Sequence, residues 1–413
     1  MKRWIRFGLL LVTIVVVGLA VNNMGPKERA VERAVGFQPK NTNWVGAWTA
    51  AHQYPSGVAL VGIKNQTVRM IVKPHINGEK VQIRISNAYG KMPITFQDVS
   101  IAVAGSGAEV LPDTLRKVTF NGKNSVIVPV GQEIQSDPIS LQISRDEKLA
   151  VSMFVPKASG PVSWHRIARQ ISYISEKGNH TFDLNGDNYT FPITSWYWLS
   201  GVNVQPVDQT KKAVVTVGDS ITDGVGSTGN SDRRYPDYLA ERFRREGIQR
   251  SVLNAGISGN KVLRDDPIYG PKALDRFERD VLNQPGVSDV ILLEGVNDIG
   301  HLPHNYDPDT LIKGYRQLIE KAHKQGIRVY MGTILPFGGA TYHTPEGEAT
   351  RKLINDWIRN SGVPDGVVDF DKVMRDPSNP SRLRPAYDSG DHLHPRDAGY
   401  QEMANAINLK WFR

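Results

Sequence analysis

With 413 residues the chain is too long for one ordinary hydrophobic core, so two or three domains are expected. A hydrophobic content of 40% and a charged content of 22% are typical of a globular protein and exclude a disordered chain. The net charge of +8 is scattered without a basic block, which argues against nucleic acid as a partner, and the lack of cysteine excludes disulfides.

The N-terminus carries a targeting pattern, since Lys2 and Arg3 precede an apolar run over residues 7–21. This run is shorter than the roughly 20 apolar residues of a spanning helix, and Gly18 and Ala20 are small, as near a signal-peptidase site. We predict a signal peptide over residues 1–21 and a secreted, extracellular protein. The alternative is an uncleaved anchor, which would be the only link to a membrane.

Residues 22–42 are polar and mixed in charge, and they are predicted to form a linker. The next region, residues 43–206, is predicted to be all-β. Short segments of alternating polarity recur there and are separated by Gly, Asn, Asp and Pro. The segments are 67–72, 80–86, 99–104, 125–130 and 149–155. This spacing predicts a β-sandwich or jelly-roll-like domain.

From residue 207 to the end at 413, the pattern changes to alternating strands and helices. Five apolar runs are separated by helix-like stretches long enough to cross a sheet, and this order predicts a parallel sheet covered on both faces. The runs are 213–217, 252–255, 290–293, 329–334 and 367–370. We therefore predict an α/β domain with a flavodoxin-like, three-layer α/β/α fold. In such sheets the ligand site lies beyond the carboxyl ends of the strands.

Four short patches in this second domain together provide the groups of a serine esterase. Ser220, Gly259 and Asn297 follow the first three predicted strands, and Asp391 and His394 precede the last helix. A serine hydroxyl needs a base, so His394 is predicted to accept the proton of Ser220 and Asp391 to orient the imidazole. The backbone N–H groups of Ser220 and Gly259 and the amide of Asn297 are the predicted oxyanion hole.

These patches resemble the conserved blocks of the GDSL or SGNH hydrolases. The segments are VGDSITD (217–223), NAGISG (254–259), GVND (295–298) and DHLHP (391–395), with Ile in place of the usual Leu after the serine. The resemblance implies a serine esterase with a Ser-His-Asp triad that uses no cofactor and no metal.

The first domain resembles, more loosely, a β domain that precedes the hydrolase in extracellular relatives of acetylxylan esterases. This resemblance is carried by WVGAW at 44–48 and RISNAYG at 84–90. It does not involve catalytic residues.

Other motifs in the chain were weighed against this interpretation. The sequence GVGSTG at 224–229 spells a dinucleotide fingerprint, but it starts late after its strand, and the second strand ends in Asn254 rather than an acidic residue. SGNK at 258–261 matches S-x-x-K, yet no K-T-G follows anywhere, and no G-x-S-x-G elbow occurs.

Several polar residues close to the patches have less certain roles. Asp219, Asp298 and His301 are candidates for substrate contact, although the two carboxylates could instead brace their loops through backbone hydrogen bonds. The pair His301 and His304 lacks an acidic or thiol partner for a metal, so a loop near the pocket mouth is favoured. His392 is expected to point away from the catalytic pair.

The sequence thus predicts a secreted carboxylic ester hydrolase that removes O-acetyl groups from a carbohydrate or cell-wall glycan through an acyl-enzyme. A lysophospholipase or short-chain lipid esterase, or an O-acyltransferase, would use the same mechanism. A non-catalytic carbohydrate-binding protein is the alternative from another class.

Overall fold

The computed structural model describes residues 43–206 and 212–413 of the chain. The predicted signal peptide (1–21) and linker (22–42) lie outside these described residues, and both stay predictions. The predicted boundary between residues 206 and 207 also stays a prediction, because residues 207–211 lie outside them as well. Within the two described ranges, no helix is long and apolar enough to cross a membrane.

Residues 43–206, which we call the β-rich part, consist of short strands, as the alternating segments predicted. The strands are β1 Val45–Thr49, β2 Gln66–Val72, β3 Gly78–Ser86, β4 Ile94–Phe96, β5 Val99–Val103, β6 Arg116–Lys117, β7 Val126–Val128, β8 Glu133–Gln135, β9 Ile139–Ile143, β10 Leu149–Val155, β11 Trp164–His165, β12 Ser172–Lys177, β13 Phe191–Ile193, β14 Trp196–Tyr197 and β15 Leu199–Gln205.

These strands form two larger antiparallel sheets that share a core. One sheet has the order β1-β15-β3-β8, with β9 also paired to β3, and the other has the order β13-β12-β2-β10-β5-β6. Residues of both sheets, such as Ile83 and Val151, lie in the same buried cluster. Trp196, Tyr197 and Trp198 are buried in this cluster too, so they are core residues and form no exposed platform for sugars.

Residues 212–413, which we call the α/β part, contain the predicted parallel sheet. Its strands are β16 Lys212–Gly218, β17 Arg250–Gly256, β18 Val287–Leu293, β19 Arg328–Gly332 and β20 Gly366–Val368. They are parallel and lie in the order β17-β16-β18-β19-β20, which confirms the parallel sheet. Two short strands, β21 Arg375–Asp376 and β22 Asn379–Leu383, form a separate ribbon.

Helices alternate with the strands of the α/β part. They are α1 Ser220–Asp223, α2 Tyr235–Arg245, α3 Ala273–Phe277 with a π turn over Glu278–Leu282, α4 Val296–Gly300, α5 Pro308–His323, α6 Pro345–Asn360, α7 Phe370–Met374 and α8 Asp397–Ala406. Neighbouring residues of β16 pack into different clusters: Val215 packs with residues of α5 and α6, whereas Val214 packs with residues of α2 and α8.

The β-rich part packs directly on the parallel sheet. A Cβ atom on Gly46 of β1 would lie 2.7 Å from the Leu253 side chain of β17, so only glycine leaves room for this close approach. The N–H of Gly46 also donates to the carbonyl of Pro285 at 2.9 Å. The described residues therefore form one compact unit.

Candidate active site

Ser220 lies at the carboxyl end of β16, the strand between β17 and β18, where it begins the one-turn helix α1. The carboxylate of Asp219 caps this helix by accepting a hydrogen bond from the N–H of Ile221 at 2.9 Å. A Cβ atom on Gly218 would lie 2.2 Å from the carbonyl oxygen of Leu293. Glycine at this position therefore lets the strand end lie close to β18 and fixes where the serine emerges.

The imidazole of His394 contacts both Ser220 and Asp391. Its Nε2 lies 2.8 Å from Ser220 Oγ, and its Nδ1 lies 2.5 Å from Asp391 Oδ2. A carboxylate only accepts hydrogen bonds, so Nδ1 carries the proton and Nε2 is free to accept from the hydroxyl. The tertiary structure thus brings together three residues that the sequence separates by up to 174 positions.

The carboxylate of Asp391 also shapes the loop that carries His394. Its Oδ1 accepts from the backbone N–H of Leu393 at 3.0 Å and of His394 at 2.8 Å. Partial burial raises the pKa of Asp391, but the hydrogen bonds from the side chain and backbone of His394 outweigh burial and hold this pKa well below its usual range. The group is therefore ionised at neutral pH, as a partner for an imidazolium must be.

A second Asp–His pair lies in the same loop. His392 Nδ1 is 2.6 Å from Asp388 Oδ2, and the N–H of His392 donates to Asp388 Oδ1 at 3.0 Å. His392 has a positive φ of 62°, in the left-handed region that non-glycine residues rarely adopt. His392 is thus held by Asp388, while His394 contacts Ser220.

Gly259 lies in the loop after β17, which we call the Gly259 loop (residues 257–261). Its φ is 81°, and a Cβ atom there would lie 2.2 Å from the ring of Tyr269. Both the backbone conformation and the packing of Tyr269 therefore require glycine. The strand order places β17 directly beside β16, so this loop emerges next to Ser220.

Asn297 lies in α4, directly after β18, which is the other neighbour of β16. Its Nδ2 donates to the carbonyl of Asn260 at 3.0 Å, and its Oδ1 accepts from the hydroxyl of Tyr342 at 3.4 Å. These two bonds fix the orientation of the amide. Because Nδ2 carries two hydrogens, one remains for a ligand.

Comparison with known proteins identifies the family of this region. Residues 216–402 match the family model described as the GDSL-like Lipase/Acylhydrolase family. The chain contains a GDSL-like lipase/acylhydrolase domain. The match includes Ser220, Gly259, Asn297 and the Asp391–His394 loop, and it ends within α8. The β-rich part lies outside the match.

Solved structures similar to this chain align with about half of it. A GDSL-like lipase from Bacteroides thetaiotaomicron VPI-5482 is 24% identical, with 49% of this chain and 89% of that chain covered and a TM-score of 0.37. The lipase/acylhydrolase from Enterococcus faecalis is 20% identical, with 48% and 93% covered and a TM-score of 0.39. The acetyl xylan esterase AlAXEase is 26% identical, with 47% and 96% covered and a TM-score of 0.36. No curated protein sequence matches the chain.

Three carboxyl groups of the GDSL-like domain are buried close in sequence to Ser220 and Asn297. Burial raises the pKa of Asp219 to about 7 and the pKa of Asp298 to about 6. Burial also raises the pKa of Glu294 well above its usual value, and neither of its carboxylate oxygens has a hydrogen-bond partner among the described residues. Burial thus disfavours the charged form of all three groups.

Asp219 and Asp298 were candidates for substrate contact, and their surroundings support loop bracing instead. Asp219 is 1% exposed and caps α1, whereas Asp298 is 3% exposed and accepts from the N–H groups of Val262 and Leu263 at 2.8 and 3.0 Å. Both carboxylates are thus occupied by backbone donors on the protein side of their loops.

His301 lies between two aromatic rings beside Asn297. Its ring centroid is 5.1 Å from that of Tyr269 and 5.2 Å from that of Tyr342. Burial, followed by the positive charge of Lys261, lowers the pKa of His301 to about 4, so this imidazole is neutral at physiological pH. Tyr269, His301 and Tyr342 form a half-buried aromatic wall next to the predicted oxyanion hole, and His301 stays a candidate for substrate contact.

The two histidines His301 and His304 have separate neighbours. His304 contacts the Ile299 carbonyl and stacks on Tyr306, whereas His301 contacts the ring of Tyr269 at a tilt and that of Tyr342 edge-on. Across residues 43–206 and 212–413, no group of three or more His, Cys, Asp or Glu side chains is arranged to hold a metal ion.

Arg276, from helix α3, is a supporting residue that the sequence patterns did not indicate. Its guanidinium is 1% exposed and donates to the Gly218 carbonyl at 3.1 Å, the Ala255 carbonyl at 2.7 Å and Asn260 Oδ1 at 2.8 Å. It thus ties the end of β16 to the end of β17 and to the Gly259 loop. An arginine in an amphipathic helix carries no sequence signal for such a role.

Proposed function

We propose that this protein is a serine esterase in which Ser220, His394 and Asp391 act as a catalytic triad. The observation that carries the proposal is the pair of hydrogen bonds at His394, 2.8 Å to Ser220 Oγ and 2.5 Å to Asp391 Oδ2. This is the geometry that a nucleophile, its base and the orienting acid require. The GDSL-like domain supports hydrolysis of an ester as the reaction class.

The proposed reaction proceeds through an acyl-enzyme. Ser220 Oγ attacks the ester carbonyl carbon while its proton passes to His394 Nε2, and Asp391 stabilises the imidazolium. The tetrahedral intermediate collapses, the alcohol leaves with the proton from His394, and the acyl group stays on Ser220. Water then attacks the acyl-enzyme with His394 again as base, which releases the acid and restores the serine.

The developing negative oxygen is proposed to be stabilised by the backbone N–H groups of Ser220 and Gly259 and by the Asn297 amide. The positive φ of Gly259 and the two hydrogen bonds that orient Asn297 support these roles, since preorganised donors stabilise charge without reorganising during the reaction.

We also propose the finer architecture. The sheet order β17-β16-β18-β19-β20 is that of flavodoxin-like folds, and the separate clusters on alternate residues of β16 support a three-layer α/β/α domain. The common core of the two antiparallel sheets supports a sandwich for the β-rich part.

The proposed substrate is an O-acetylated carbohydrate or cell-wall glycan outside the cell. The predicted signal peptide supports an extracellular location. The side chain of Asp391 is 49% exposed, so the catalytic loop opens to solvent and is accessible to a bulky acyl carrier. The aromatic wall of Tyr269, His301 and Tyr342 supports a sugar as the carrier, because aromatic faces pack well against the apolar faces of sugar rings.

Hydrolysis of p-nitrophenyl acetate by the wild type and by Ser220→Ala tests the reaction. We expect steady turnover by the wild type and a loss to background in Ser220→Ala. Equal rates in both proteins would contradict the proposal and favour a non-catalytic carbohydrate-binding protein.

Release of acids from a panel of substrates tests the substrate class. Mass spectrometry measures three products: acetate released from acetylated xylan and other acetylated glycans, fatty acid released from lysophospholipids, and acyl groups transferred to added sugar. Preferential release of acetate from glycans supports the proposal, while faster hydrolysis of lysolipids or dominant transfer would identify the lipid esterase or the acyltransferase instead.

A further inference from the structure

The β-rich part contributes a buried histidine to the surroundings of Ser220. His165 Nε2 lies 3.0 Å from Oδ1 of Asp223, the last residue of the helix α1 that Ser220 begins. Both side chains are about 3% exposed. The contact therefore joins the β-rich part to the helix that carries the nucleophile, in a place that solvent does not screen.

The partners of His165 define its protonation state. Its Nδ1 lies 2.9 Å from the Ala51 carbonyl, and its Nε2 lies 3.1 Å from the Ile167 carbonyl in addition to Asp223. Carbonyl and carboxylate oxygens only accept hydrogen bonds, so both ring nitrogens carry a hydrogen and the ring is an imidazolium. Burial lowers the pKa of His165, but Asp223 and the two backbone carbonyls outweigh burial and raise this pKa above its usual value.

Asp223 transmits this contact to the Gly259 loop. Its second oxygen, Oδ2, accepts from the N–H of Ser258 at 2.9 Å and from Ser258 Oγ at 2.5 Å. Ser258 is the residue directly before Gly259. One carboxylate thus connects the imidazolium of the β-rich part to the backbone that is proposed to bind the oxyanion.

A second contact from the β-rich part reaches the Gly259 loop through Tyr269. Gln53 pairs with Trp164 and is 1% exposed, and its Nε2 donates to the Ile268 carbonyl at 2.5 Å. The next residue, Tyr269, has its ring against Gly259. The two contacts approach the Gly259 loop through different residues of the α/β part.

We propose that His165 and Gln53 are positioning residues of the active site, through which the β-rich part holds the Gly259 loop in the geometry that the oxyanion requires. The inference rests on the proposed esterase function and gives the β-rich part a role in the reaction itself. In this role the β-rich part is needed for turnover whether or not it binds sugar.

Variants of the full chain test the proposal, with kcat and KM measured on p-nitrophenyl acetate. Active sites are counted with a p-nitrophenyl phosphonate, which phosphonylates the serine and releases one p-nitrophenol for each active site. We expect His165→Phe and Asp223→Asn each to lower kcat about 10- to 100-fold with little change in KM, because the loop acts in the transition state. His165→Gln retains a donor toward Asp223 and is expected to recover most of this loss. Gln53→Leu is expected to lower kcat as well.

His75→Gln is the matched control. His75 is a partly buried histidine of the β-rich part, and it contacts the α/β part through the Val252 carbonyl at 2.7 Å and Asp237 Oδ1 at 3.3 Å. Neither partner lies in α1 or in the Gly259 loop. We expect His75→Gln to lower thermal stability while kcat per active site stays at the wild-type value.

Hydrogen exchange of the amides at residues 257–261 distinguishes failure of this inference from failure of the esterase proposal. Faster exchange in His165→Phe but not in His75→Gln supports the inference even if the wild type hydrolyses no ester. Wild-type kcat and unchanged exchange in His165→Phe and Asp223→Asn would overturn it while the esterase proposal stands. If His165→Phe does not fold, kcat and the hydrogen exchange of residues 257–261 in Asp223→Asn decide between these outcomes.

Discussion

The two Asp–His pairs in the loop before α8 differ in the further contact of the imidazole: one histidine also contacts Ser220, and the other does not. His394 contacts Ser220 at 2.8 Å, whereas His392 is held by Asp388 at 2.6 Å. Since the two histidines are two residues apart and similarly paired, the loop offers an internal comparison of the proposed catalytic base with a neighbouring histidine.

We expect His394→Ala to lower kcat about 10⁴- to 10⁶-fold, because the serine loses its base, and His392→Ala to stay within a few-fold of wild type. Steady-state hydrolysis of p-nitrophenyl acetate is the measurement. A severe loss in His392→Ala with activity retained in His394→Ala would reverse the assignment.

Acidification should also lower turnover, since a protonated imidazole at position 394 cannot accept the proton of Ser220. The measurement is kcat/KM between mildly acidic and neutral pH. A flat profile over this range would argue against a histidine base.

Asn297→Ala is expected to lower kcat about 10²- to 10³-fold, the usual cost of one oxyanion donor, with KM changed little. Asn305→Ala is the control, because this nearby amide bonds Thr310 at the surface. Equal kcat in wild type and Asn297→Ala would remove Asn297 from the oxyanion hole.

At the scale of elements, strand β1 depends on close contact with β17. Gly46→Val would place a branched side chain where even a Cβ atom lies 2.7 Å from Leu253. We expect a loss of about 1–3 kcal/mol in the free energy of unfolding, as for other overpacked cores. Urea unfolding measures this free energy. Gly229→Val is the control, because Gly229 is exposed and has open space around it, and we expect it to change stability by less than about 0.5 kcal/mol. Equal stability of both variants would contradict the tight packing.

At the scale of the whole molecule, the His165–Asp223 pair makes stability depend on pH. Asp223 and the backbone acceptors outweigh burial and raise the pKa of His165 in the folded protein. His52 and Trp196 are further neighbours of the His165 ring. The stabilisation is fully present below the unfolded histidine pKa of about 6.5 and is lost as pH rises through the folded value.

Thermal unfolding of wild type and His165→Gln between pH 6 and pH 9 checks this expectation. The wild type should lose stability relative to His165→Gln as the pH rises, because the variant has no proton to release. Parallel curves across this range would show that His165 is not charged in the folded protein.

Much of the architecture could be predicted because its signals are local. Apolar runs separated by helical stretches predicted the parallel sheet, and its five strands lie where those runs occur. Alternating segments likewise predicted the strand-rich first region. The glycines at 218 and 259 and the acids near Ser220 carried the family pattern, which is a local signal as well.

What the sequence by itself determined is therefore the order of strands and helices and the residue types at the strand ends, because periodicity and turn chemistry act between near neighbours in the chain. Only the folded chain shows that Arg276 ties two strand ends together and that His165 contacts Asp223 across 58 positions. These contacts depend on how two layers pack against each other, and a buried charge has a partner only after that packing has brought the two groups together.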